Sequence, residues 1–216
     1  SVVRGGYDLG IAFDGDADRC LLVDEKGQTI DGDKVMAVCA TDMKRRGHLQ
    51  GDAIVATVMS NLGLHEFCRN NGFQLNVLEE MLRHDYRIGG EQSGHTIFTE
   101  FATTGDGELT ALQFLQVFKA YGGPASELAS CCATYPQELI NVEVSHERGA
   151  KERIMESDAL QAAVAEEERV LAGEGRVLVR ASGTEPLIRV MVEAKTTQRA
   201  KEVAEKLASF VKTLKI

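Results

Sequence analysis

Short apolar runs alternate with amphipathic stretches along the first half of the chain, a pattern typical of α/β proteins. The apolar runs predict strands over residues 9–13, 20–23, 53–58 and 73–77. After the second strand, the sequence predicts a helix that Asp33 caps, that runs to Arg46 and that Gly47 ends. Another helix stops at Asn71–Gly72. A third, over residues 105–121, carries an apolar stripe made of Leu109, Leu112, Phe114, Leu115, Val117 and Phe118.

The second half of the chain has a pattern of its own. It predicts a helix over residues 158–171 and strands over residues 139–144, 177–180 and 187–193. The final helix has an apolar stripe that predicts packing on a sheet, formed by Ala200, Val203, Ala204, Leu207, Phe210, Val211 and Leu214. We expect a mixed-sheet α/β domain over residues 25–124, a linker over 125–136 and a C-terminal α+β domain over 137–216.

Two places in the pattern predict that residues are absent. Only eight residues precede the buried strand at 9–13, so we expect residues 1–24 to be a stub of another α/β domain. The strand ending at Val77 is followed directly by a helical pattern that begins at Leu78. Strand-to-helix connections usually take ~2–6 residues, so we expect a connector to be absent between these two residues.

Composition and charge argue against several classes of function. The 216 residues carry 24 basic and 33 acidic side chains, and the formal net charge of −9 repels nucleic acid. No run approaches the ~20 apolar residues of a membrane helix, and the N-terminal residues do not resemble a signal peptide. Five scattered cysteines without a C-x-x-C pair are typical of reduced thiols. We expect a cytoplasmic protein that binds neither nucleic acid nor membrane.

The loop DGDADR, residues 14–19, lies between two predicted strands. Asp14, Asp16 and Asp18 alternate along it, and two carboxylates ~4 Å apart repel by ~4 kcal/mol at an effective dielectric constant near 20. A divalent cation removes this cost, and carboxylate oxygens suit Mg²⁺ or Ca²⁺. Arg19 beside such a metal suggests a guanidinium aimed at a phosphoryl group.

A calcium-binding EF-hand is one alternative for this loop. Its carboxylates and Glu25 do fall on ligand positions of that motif. However, Arg19 stands where the EF-hand turn needs glycine, and the flanking segments are strand-like rather than helical. The EF-hand is therefore excluded, and a polar turn with solvated carboxylates remains the simplest alternative.

The loop GGEQSGH, residues 89–95, places three polar side chains at alternating positions. In an extended loop Glu91, Ser93 and His95 would face one side. A carboxylate, a hydroxyl and an imidazole suit sugar hydroxyls, and His95 could also move a proton. A Ser–His hydrolase is a second interpretation, but the spacing is not that of the G-x-S-x-G nucleophile elbow. A structural turn is the plain alternative.

The loop RASGTEP, residues 180–186, joins two predicted strands. Arg180 offers a bidentate guanidinium fork, and Gly183 lets consecutive backbone N–H groups form an anion-binding concavity. Two hydroxyls and a second guanidinium stand nearby, contributed by Ser182, Thr184 and Arg189. An anion such as phosphate fits this set, and a plain hairpin loop with an exposed arginine is the alternative.

In this order and at these separations, the three loops resemble those of the α-D-phosphohexomutase superfamily. The resemblance implies a four-domain isomerase, with a catalytic phosphoserine in the first domain, the metal loop in the second, the sugar loop in the third and the phosphate loop in the fourth. Gln92 and the segment TVMSNLGL, residues 57–64, resemble most the bacterial members that interconvert glucosamine 6-phosphate and glucosamine 1-phosphate on the route to peptidoglycan. The phosphomannomutase/phosphoglucomutase members are the alternative.

The resemblance also implies a role for each loop. Asp14, Asp16 and Asp18 would hold Mg²⁺ beside the phosphoserine, with Arg19 and His95 as catalytic residues. The substrate-binding residues would be Glu91, Ser93, His95, Arg180, Ser182, Gly183, Thr184 and Arg189. The serine would donate its phosphoryl group to the sugar, and the resulting 1,6-bisphosphate would return the other phosphate to the serine.

The chain departs from the superfamily pattern in two ways. It has no TASHNP-like phosphoserine loop, so we expect this chain alone to be inactive. The superfamily's short glycine- and basic-residue loop in the third domain should fall between Val77 and Leu78. Two hypotheses of other classes stay open, a non-catalytic sugar-phosphate binding module and a metal-dependent phosphatase that uses the Asp14 loop. A homodimer is one assembly that the resemblance allows.

Overall fold

The structure, a computed structural model, describes residues 1–77, 81, 83–145, 147 and 149–214. They form two compact units, residues 1–134 and 135–216. The predicted helix start at Leu78, and the connector expected before it, lie outside the described residues. In the described part of the chain, no helix is both long and apolar enough to span a membrane. The finer division expected at residues 24, 124 and 136 remains a prediction.

The first unit combines helices with two sheets. Its elements are α1 (Val2–Gly5), β1 (Leu9–Phe13), β2 (Cys20–Asp24), β3 (Thr29–Ile30), α2 (Gly32–Arg45), β4 (Ala53–Ala56), α3 (Leu62–Asn71), β5 (Gln74–Asn76), β6 (Ile88–Gly90), β7 (Thr96–Phe98), α4 (Gly107–Tyr121) and α5 (Ala125–Ala129). Strands β1, β2 and β3 form an antiparallel sheet in that order. The second sheet has the order β5-β4-β6-β7, in which only β7 runs antiparallel to its neighbour. The predicted mixed sheet is confirmed.

The N-cap of helix α2 lies two residues before the predicted one. The side chain of Asp31, not Asp33, accepts a hydrogen bond from the backbone N–H of Lys34 at 3.1 Å, so the prediction of Asp33 as the cap was wrong. Asp33 is buried instead and accepts a hydrogen bond from the N–H of Asn61 at 2.6 Å. It thereby ties the start of α2 to the cap of α3.

The core of the first unit lies around α2, α4 and the two sheets. It includes Met36, Ile54, Leu64, Phe98 and Phe114, all fully or almost fully buried. Two sequence predictions fail at its surface. Leu112 of the predicted stripe is 64% exposed, and the strand predicted over 53–58 ends at Ala56, with Val58 59% exposed. All five cysteines are free thiols.

The segment predicted as a linker holds the short helix α5. Its Ala125 and Ala129 are buried in the core of the first unit, and Cys132 follows them there. The carboxylate of Glu25, just beyond β2, accepts hydrogen bonds from the N–H of Ser126, at 3.1 Å, and from its hydroxyl. Glu25 therefore caps α5 from 101 residues away in sequence.

The second unit packs helices on an antiparallel sheet. Its elements are β8 (Gln137–Glu143), α6 (Ala150–Met155), α7 (Asp158–Leu171), β9 (Gly175–Ala181), β10 (Leu187–Ala194) and α8 (Thr197–Thr213). Strand β10 lies between β8 and β9. Helix α8 buries the predicted stripe against β8 and β10, with Ala200, Val203 and Leu207 almost inaccessible. The predicted α+β architecture of this part is confirmed.

Candidate functional site

The loop DGDADR closes the hairpin of β1 and β2. Phe13 and Cys20 are paired across the strands, so the six loop residues protrude from the end of the sheet. Ala17 has a positive φ of 57°, which turns the chain inside the loop. The carboxylate of Asp14 accepts a hydrogen bond from the N–H of Arg19 at 3.3 Å, and the Nε of Arg19 lies 3.8 Å from its second oxygen. The loop is therefore folded back on itself.

Asp18 connects this loop to the sugar loop. Its Oδ2 lies 3.0 Å from the Nδ1 of His95. Partial desolvation raises the pKa of Asp18, but the hydrogen bonds of His95 and Asp14 and the charges of His95 and Arg19 together hold it below its ordinary value. Asp18 is thus kept in the ionised form that a cation requires.

Backbone contacts fasten the two loops together. The N–H of Cys20 donates to the carbonyl of Gly94 at 3.0 Å, and Arg19 and His95 form an isolated antiparallel bridge. Gly94 has a φ of 98°, and a Cβ there would lie 2.5 Å from the carbonyl oxygen of Cys20. Only glycine allows this approach. The sequence separated the two loops by about seventy residues, and the structure makes them one site.

Within the sugar loop, two backbone hydrogen bonds form a tight turn. The N–H of Glu91 donates to the carbonyl of His95 at 2.9 Å, and the N–H of Gly94 donates to that of Glu91 at 3.0 Å. The hydroxyl of Ser93 donates to Oε2 of Glu91 at 2.9 Å. Glu91 and Ser93 thus present their oxygens together, whereas the His95 ring turns to Asp18. The predicted extended loop with all three side chains on one side was therefore wrong for His95, because the tight turn replaces the extended conformation.

Helix α2 supports the sugar loop from below. The N–H of Gly32 donates to the carbonyl of Gln92 at 3.0 Å, and the Nε2 of Gln92 donates to the cap residue Asp31 at 3.2 Å. A Cβ on Gly32 would lie 2.0 Å from the carbonyl oxygen of Glu91, so glycine is required at the first residue of the helix. Gln92 therefore contacts the start of α2 through both its carbonyl and its side chain.

The segment Gly105–Asp106–Gly107 is a part of this site that sequence reasoning missed. A Cβ on Gly105 would lie 2.3–2.6 Å from ring atoms of His95, so its absence leaves room for the imidazole. Gly107 donates its N–H to the carbonyl of Ala17 at 2.9 Å, at the start of α4. The glycine on each side of a helix-capping aspartate was the signal in the sequence.

The phosphate loop belongs to the second unit and joins β9 to β10. Arg180 and Arg189 stand directly opposite each other on the two strands. Like charges in this position destabilise a sheet, and an anion between them removes the cost. The Nη2 of Arg189 lies 3.3 Å from Oε2 of Glu185, whereas Arg180 is exposed and has no ion pair among the described residues. The pair fits a phosphate.

The turn of the phosphate loop is fixed by its own serine and by a lysine that sequence reasoning missed. Ser182 is 5% exposed, its N–H donates to the carbonyl of Leu187, and its Oγ accepts from the N–H of Glu185 at 3.3 Å. The Nζ of Lys151, on α6, donates to the carbonyls of Ser182 and Glu185. Lys151 lies 31 residues before Ser182, and nothing in its local sequence indicated this contact.

The carboxylates of the metal loop fit Mg²⁺. Asp14 contacts Arg19 and Asp18 contacts His95, whereas Asp16 has no hydrogen bond or ion pair among the described residues. Among those residues, no group of three or more His, Cys, Asp or Glu side chains is arranged to hold a metal. Mg²⁺ does not need such a cage, because it is commonly held by one or two carboxylates, waters and substrate phosphate oxygens. Asp16 remains a predicted ligand.

Comparison with family models identifies two domains along the chain. Residues 31–135 match the model of phosphoglucomutase/phosphomannomutase alpha/beta/alpha domain III, and residues 139–210 match the C-terminal domain of the same family. The chain belongs to the phosphoglucomutase/phosphomannomutase family. The resemblance inferred from the three loops, and the fold class that it implied, are thereby confirmed.

Curated members of this family are similar over nearly the whole chain. The phosphoglucosamine mutase of Thermoanaerobacter sp. (strain X514) is 48% identical over 97% of the chain, and that of Caldanaerobacter subterraneus subsp. tengcongensis is 51% identical over 94%. In both cases the match covers 48% of the relative. The chain therefore spans about half the length of the curated relatives that it matches.

Solved phosphohexomutase structures share the fold. One is Aspergillus fumigatus N-acetylphosphoglucosamine mutase in complex with GlcNAc-6P and magnesium, with a TM-score of 0.67 and 22% identity over 94% of this chain and 48% of that one. Another is a phosphoglucomutase/phosphomannomutase family protein from Burkholderia thailandensis, with a TM-score of 0.69 and 18% identity over 98% of this chain and 48% of that one. At these identities the likeness concerns the fold.

Proposed function

We propose that this chain is the metal-, sugar- and phosphate-binding part of a phosphoglucosamine mutase, which interconverts glucosamine 6-phosphate and glucosamine 1-phosphate. The observation that carries the proposal is the joint between the metal loop and the sugar loop, formed by Asp18 with His95 and by Cys20 with Gly94. A cation-binding carboxylate pair beside a carboxylate–hydroxyl pair suits a phosphoryl group and a sugar together. The names of the curated relatives support the amino sugar as substrate.

The metal loop would neutralise charge at the phosphoryl group. Asp14 and Asp18, with Asp16, would hold Mg²⁺, which lowers the electrostatic cost of bringing phosphate oxygens together. Arg19 is half exposed, so its guanidinium is free to move from Asp14 to a phosphoryl oxygen. Phosphoryl transfer depends mainly on such positioning and charge neutralisation, which agrees with the exposed, charged character of this loop.

The sugar loop would hold hydroxyls that are common to both orientations of the sugar. The carboxylate of Glu91 accepts hydrogen bonds and the hydroxyl of Ser93 donates one, so together they suit a pair of adjacent hydroxyls. On binding, the bond between Ser93 and Glu91 would be replaced by bonds to the sugar. His95 would contribute from the joint with Asp18, where its ring faces the metal loop and where it is placed to pass a proton.

The phosphate loop would hold the phosphate that is not being transferred. Arg180 and Arg189 supply guanidinium groups, and the loop supplies the N–H groups of Gly183 and Thr184 and the hydroxyl of Ser182. The phosphoryl donor in the proposed reaction is a phosphoserine, with a 1,6-bisphosphate intermediate. No TASHNP-like loop occurs in this sequence, so we propose that the chain alone does not turn over. A cytoplasmic homodimer remains an expectation from the family resemblance.

A chimera tests this proposal. The chain is joined to the N-terminal half of the Thermoanaerobacter phosphoglucosamine mutase, and isomerisation of glucosamine 6-phosphate is measured with and without Mg²⁺. We expect Mg²⁺-dependent formation of glucosamine 1-phosphate, which Glu91→Gln lowers at least ~10-fold through loss of a charged hydrogen bond. Glu100→Gln, at an exposed residue beyond β7, is the matched control and should leave the rate unchanged.

The other substrates and classes give different results in the same assay. Faster conversion of mannose 6-phosphate or glucose 6-phosphate would favour the phosphomannomutase/phosphoglucomutase alternative. Binding of sugar phosphate without isomerisation would favour a binding module, provided that the intact relative is active in parallel. Steady release of inorganic phosphate by the chain itself would favour the phosphatase hypothesis.

A further inference from the structure

Lys151 lies against the inner side of the phosphate loop. Its Nζ is 2.5 Å from the carbonyl oxygen of Ser182 and 3.0 Å from that of Glu185. An ammonium group has three donors and no acceptor, so it can bind both carbonyls at once. Because the two carbonyls are three residues apart, this contact holds the beginning and the end of the turn in one geometry.

The direction of the Ser182 carbonyl also fixes the direction of the next N–H. In a trans peptide the C=O and N–H of one unit point to opposite sides, and none of the described peptide bonds is cis. Since the carbonyl of Ser182 faces Lys151, the N–H of Gly183 faces away from it. The second carbonyl is followed by Pro186, which has no N–H, so that peptide unit places no donor on the outer side.

The backbone N–H donors on the outer side of the phosphate loop are available to a ligand. Within the described part of the chain, the N–H groups of Gly183 and Thr184 donate to no protein acceptor, whereas those of Ser182 and Glu185 do. No atom lies within 4 Å of the Cβ position of Gly183, so a ligand can approach the backbone closely. The loop therefore has an inner side of satisfied carbonyls and an outer side of unpaired N–H groups.

We propose that Lys151 is a positioning residue for phosphate binding, which orients the N–H group of Gly183 toward the anion through the Ser182 carbonyl and holds the end of the turn through the Glu185 carbonyl. The inference rests on the proposed function, because it requires the loop to bind phosphate. Its charge also adds to the positive potential of Arg180 and Arg189. Removal of Lys151 lets the Ser182–Gly183 peptide rotate, so that the outward N–H is lost.

Phosphate titration of the chain tests this role. Inorganic phosphate is added to wild type and to Lys151→Met, and the amide ¹H–¹⁵N signal of Gly183 is followed with calorimetry in parallel. We expect phosphate to shift the Gly183 signal in the wild type, and Lys151→Met to bind about tenfold more weakly with a smaller shift, as for loss of one charged hydrogen bond. Lys201→Met is the matched control on α8, where Lys201 is 55% exposed and pairs only with Glu205 at 3.8 Å.

Two further variants separate positioning from folding. Lys151→Arg keeps a charged donor and should recover most of the affinity and of the Gly183 shift. Lys151→Gln keeps a donor without the charge, so its phosphate affinity should lie between those of the Arg and Met variants. If the Met variant fails to fold, the Gln variant takes its place in the comparison. Wild-type affinity and shift in Lys151→Met would overturn the role of Lys151 while the phosphate loop stands. Absence of phosphate binding by the wild type would overturn both the inference and this part of the proposed function.

Discussion

The joined loops of the first unit and the phosphate loop of the second unit are built in different ways. In the first unit, Asp18 and His95 are in direct contact although they lie 77 residues apart in sequence. The hydroxyl of Ser93 is hydrogen-bonded to the carboxylate of Glu91. In the second unit, the loop closes a local hairpin, and its Gly183 and Thr184 N–H groups have no protein acceptor within the described residues. The site of the first unit is assembled from distant segments, and its side chains are hydrogen-bonded to one another. The phosphate loop of the second unit is formed locally, and its N–H donors are available to a ligand.

Because of this difference, mutations in the two sites should affect folding stability and ligand binding to different extents. Contacts that join distant segments order the chain, so a change in the first site should lower the free energy of unfolding as well as activity. Open donors on a hairpin contribute little to folding, so a change in the second site should weaken anion binding and leave stability nearly unchanged.

A glycine in each loop gives the largest expected contrast. Gly94→Ala forces a Cβ to 2.5 Å from the Cys20 carbonyl at a φ of 98°, so we expect the free energy of unfolding to fall by about 2–4 kcal/mol. Gly183→Ala meets nothing within 4 Å and should change it by less than about 0.5 kcal/mol. Urea unfolding of both variants measures the difference. Equal losses would show that the two loops contribute alike to folding.

Arg180 provides the opposite contrast, with a large effect on binding alone. Arg180→Gln removes an exposed guanidinium opposite Arg189, so we expect phosphate to bind about tenfold or more weakly, as for a lost charged hydrogen bond. The free energy of unfolding should change by less than about 0.5 kcal/mol, because the lost group is exposed and lies beside a like charge. Calorimetry with inorganic phosphate and urea unfolding provide the two readouts. A marked loss of stability would contradict the open-loop description.

The contact between His95 and Asp18 has a smaller effect, and a double-mutant cycle of Gly105 and His95 tests whether a methyl group at Gly105 acts through the imidazole. Gly105→Ala pushes the imidazole away from Asp18, and we expect it to lower the free energy of unfolding by about 0.5–1.5 kcal/mol, the range of one hydrogen bond. His95→Ala should cost a similar amount. In the double variant the methyl group has room, so the two costs should not add. Gly15→Ala, in open space on the metal loop, is the control; additive costs would contradict the shared mechanism.

Much of the fold was predictable because local patterns determine it. The strand at 9–13 and the helix at 158–171 have the predicted bounds, since each is a dense apolar or amphipathic run between clear turn residues. The loops DGDADR and RASGTEP were found as candidates because several chemically related side chains occur close together in sequence. For these features, neighbours along the chain carry the information.

The rest depends on contacts between residues far apart in sequence. Asp31 and Asp33 are equivalent as caps by residue type. Asp33 does not cap α2, because its carboxylate accepts a hydrogen bond from the N–H of Asn61, 28 residues away. Leu112 fits the stripe of α4, but no neighbouring element covers it in the first unit. Lys151 has no local signal for its contact with the Ser182 carbonyl. The glycines around Asp106 mark the segment but do not identify the His95 ring as the neighbour of Gly105. Tertiary neighbours decide such cases, and a single sequence does not list them.

The far end of the first unit gives the smallest predicted effect, through the cap that Glu25 provides for α5. The hydrogen bond from the Ser126 hydroxyl, followed by smaller contributions, holds the pKa of Glu25 below its ordinary value. A lowered folded-state pKa stabilises the fold above the unfolded pKa of about 4.3, and this stabilisation is lost as the pH falls through the folded value. Relative to Glu25→Gln, the wild type should therefore lose stability below about pH 4.3, and Ser126→Ala should weaken this pH dependence. Urea unfolding at several pH values measures it. An identical pH dependence in wild type and both variants would show that the long-range cap contributes nothing to stability.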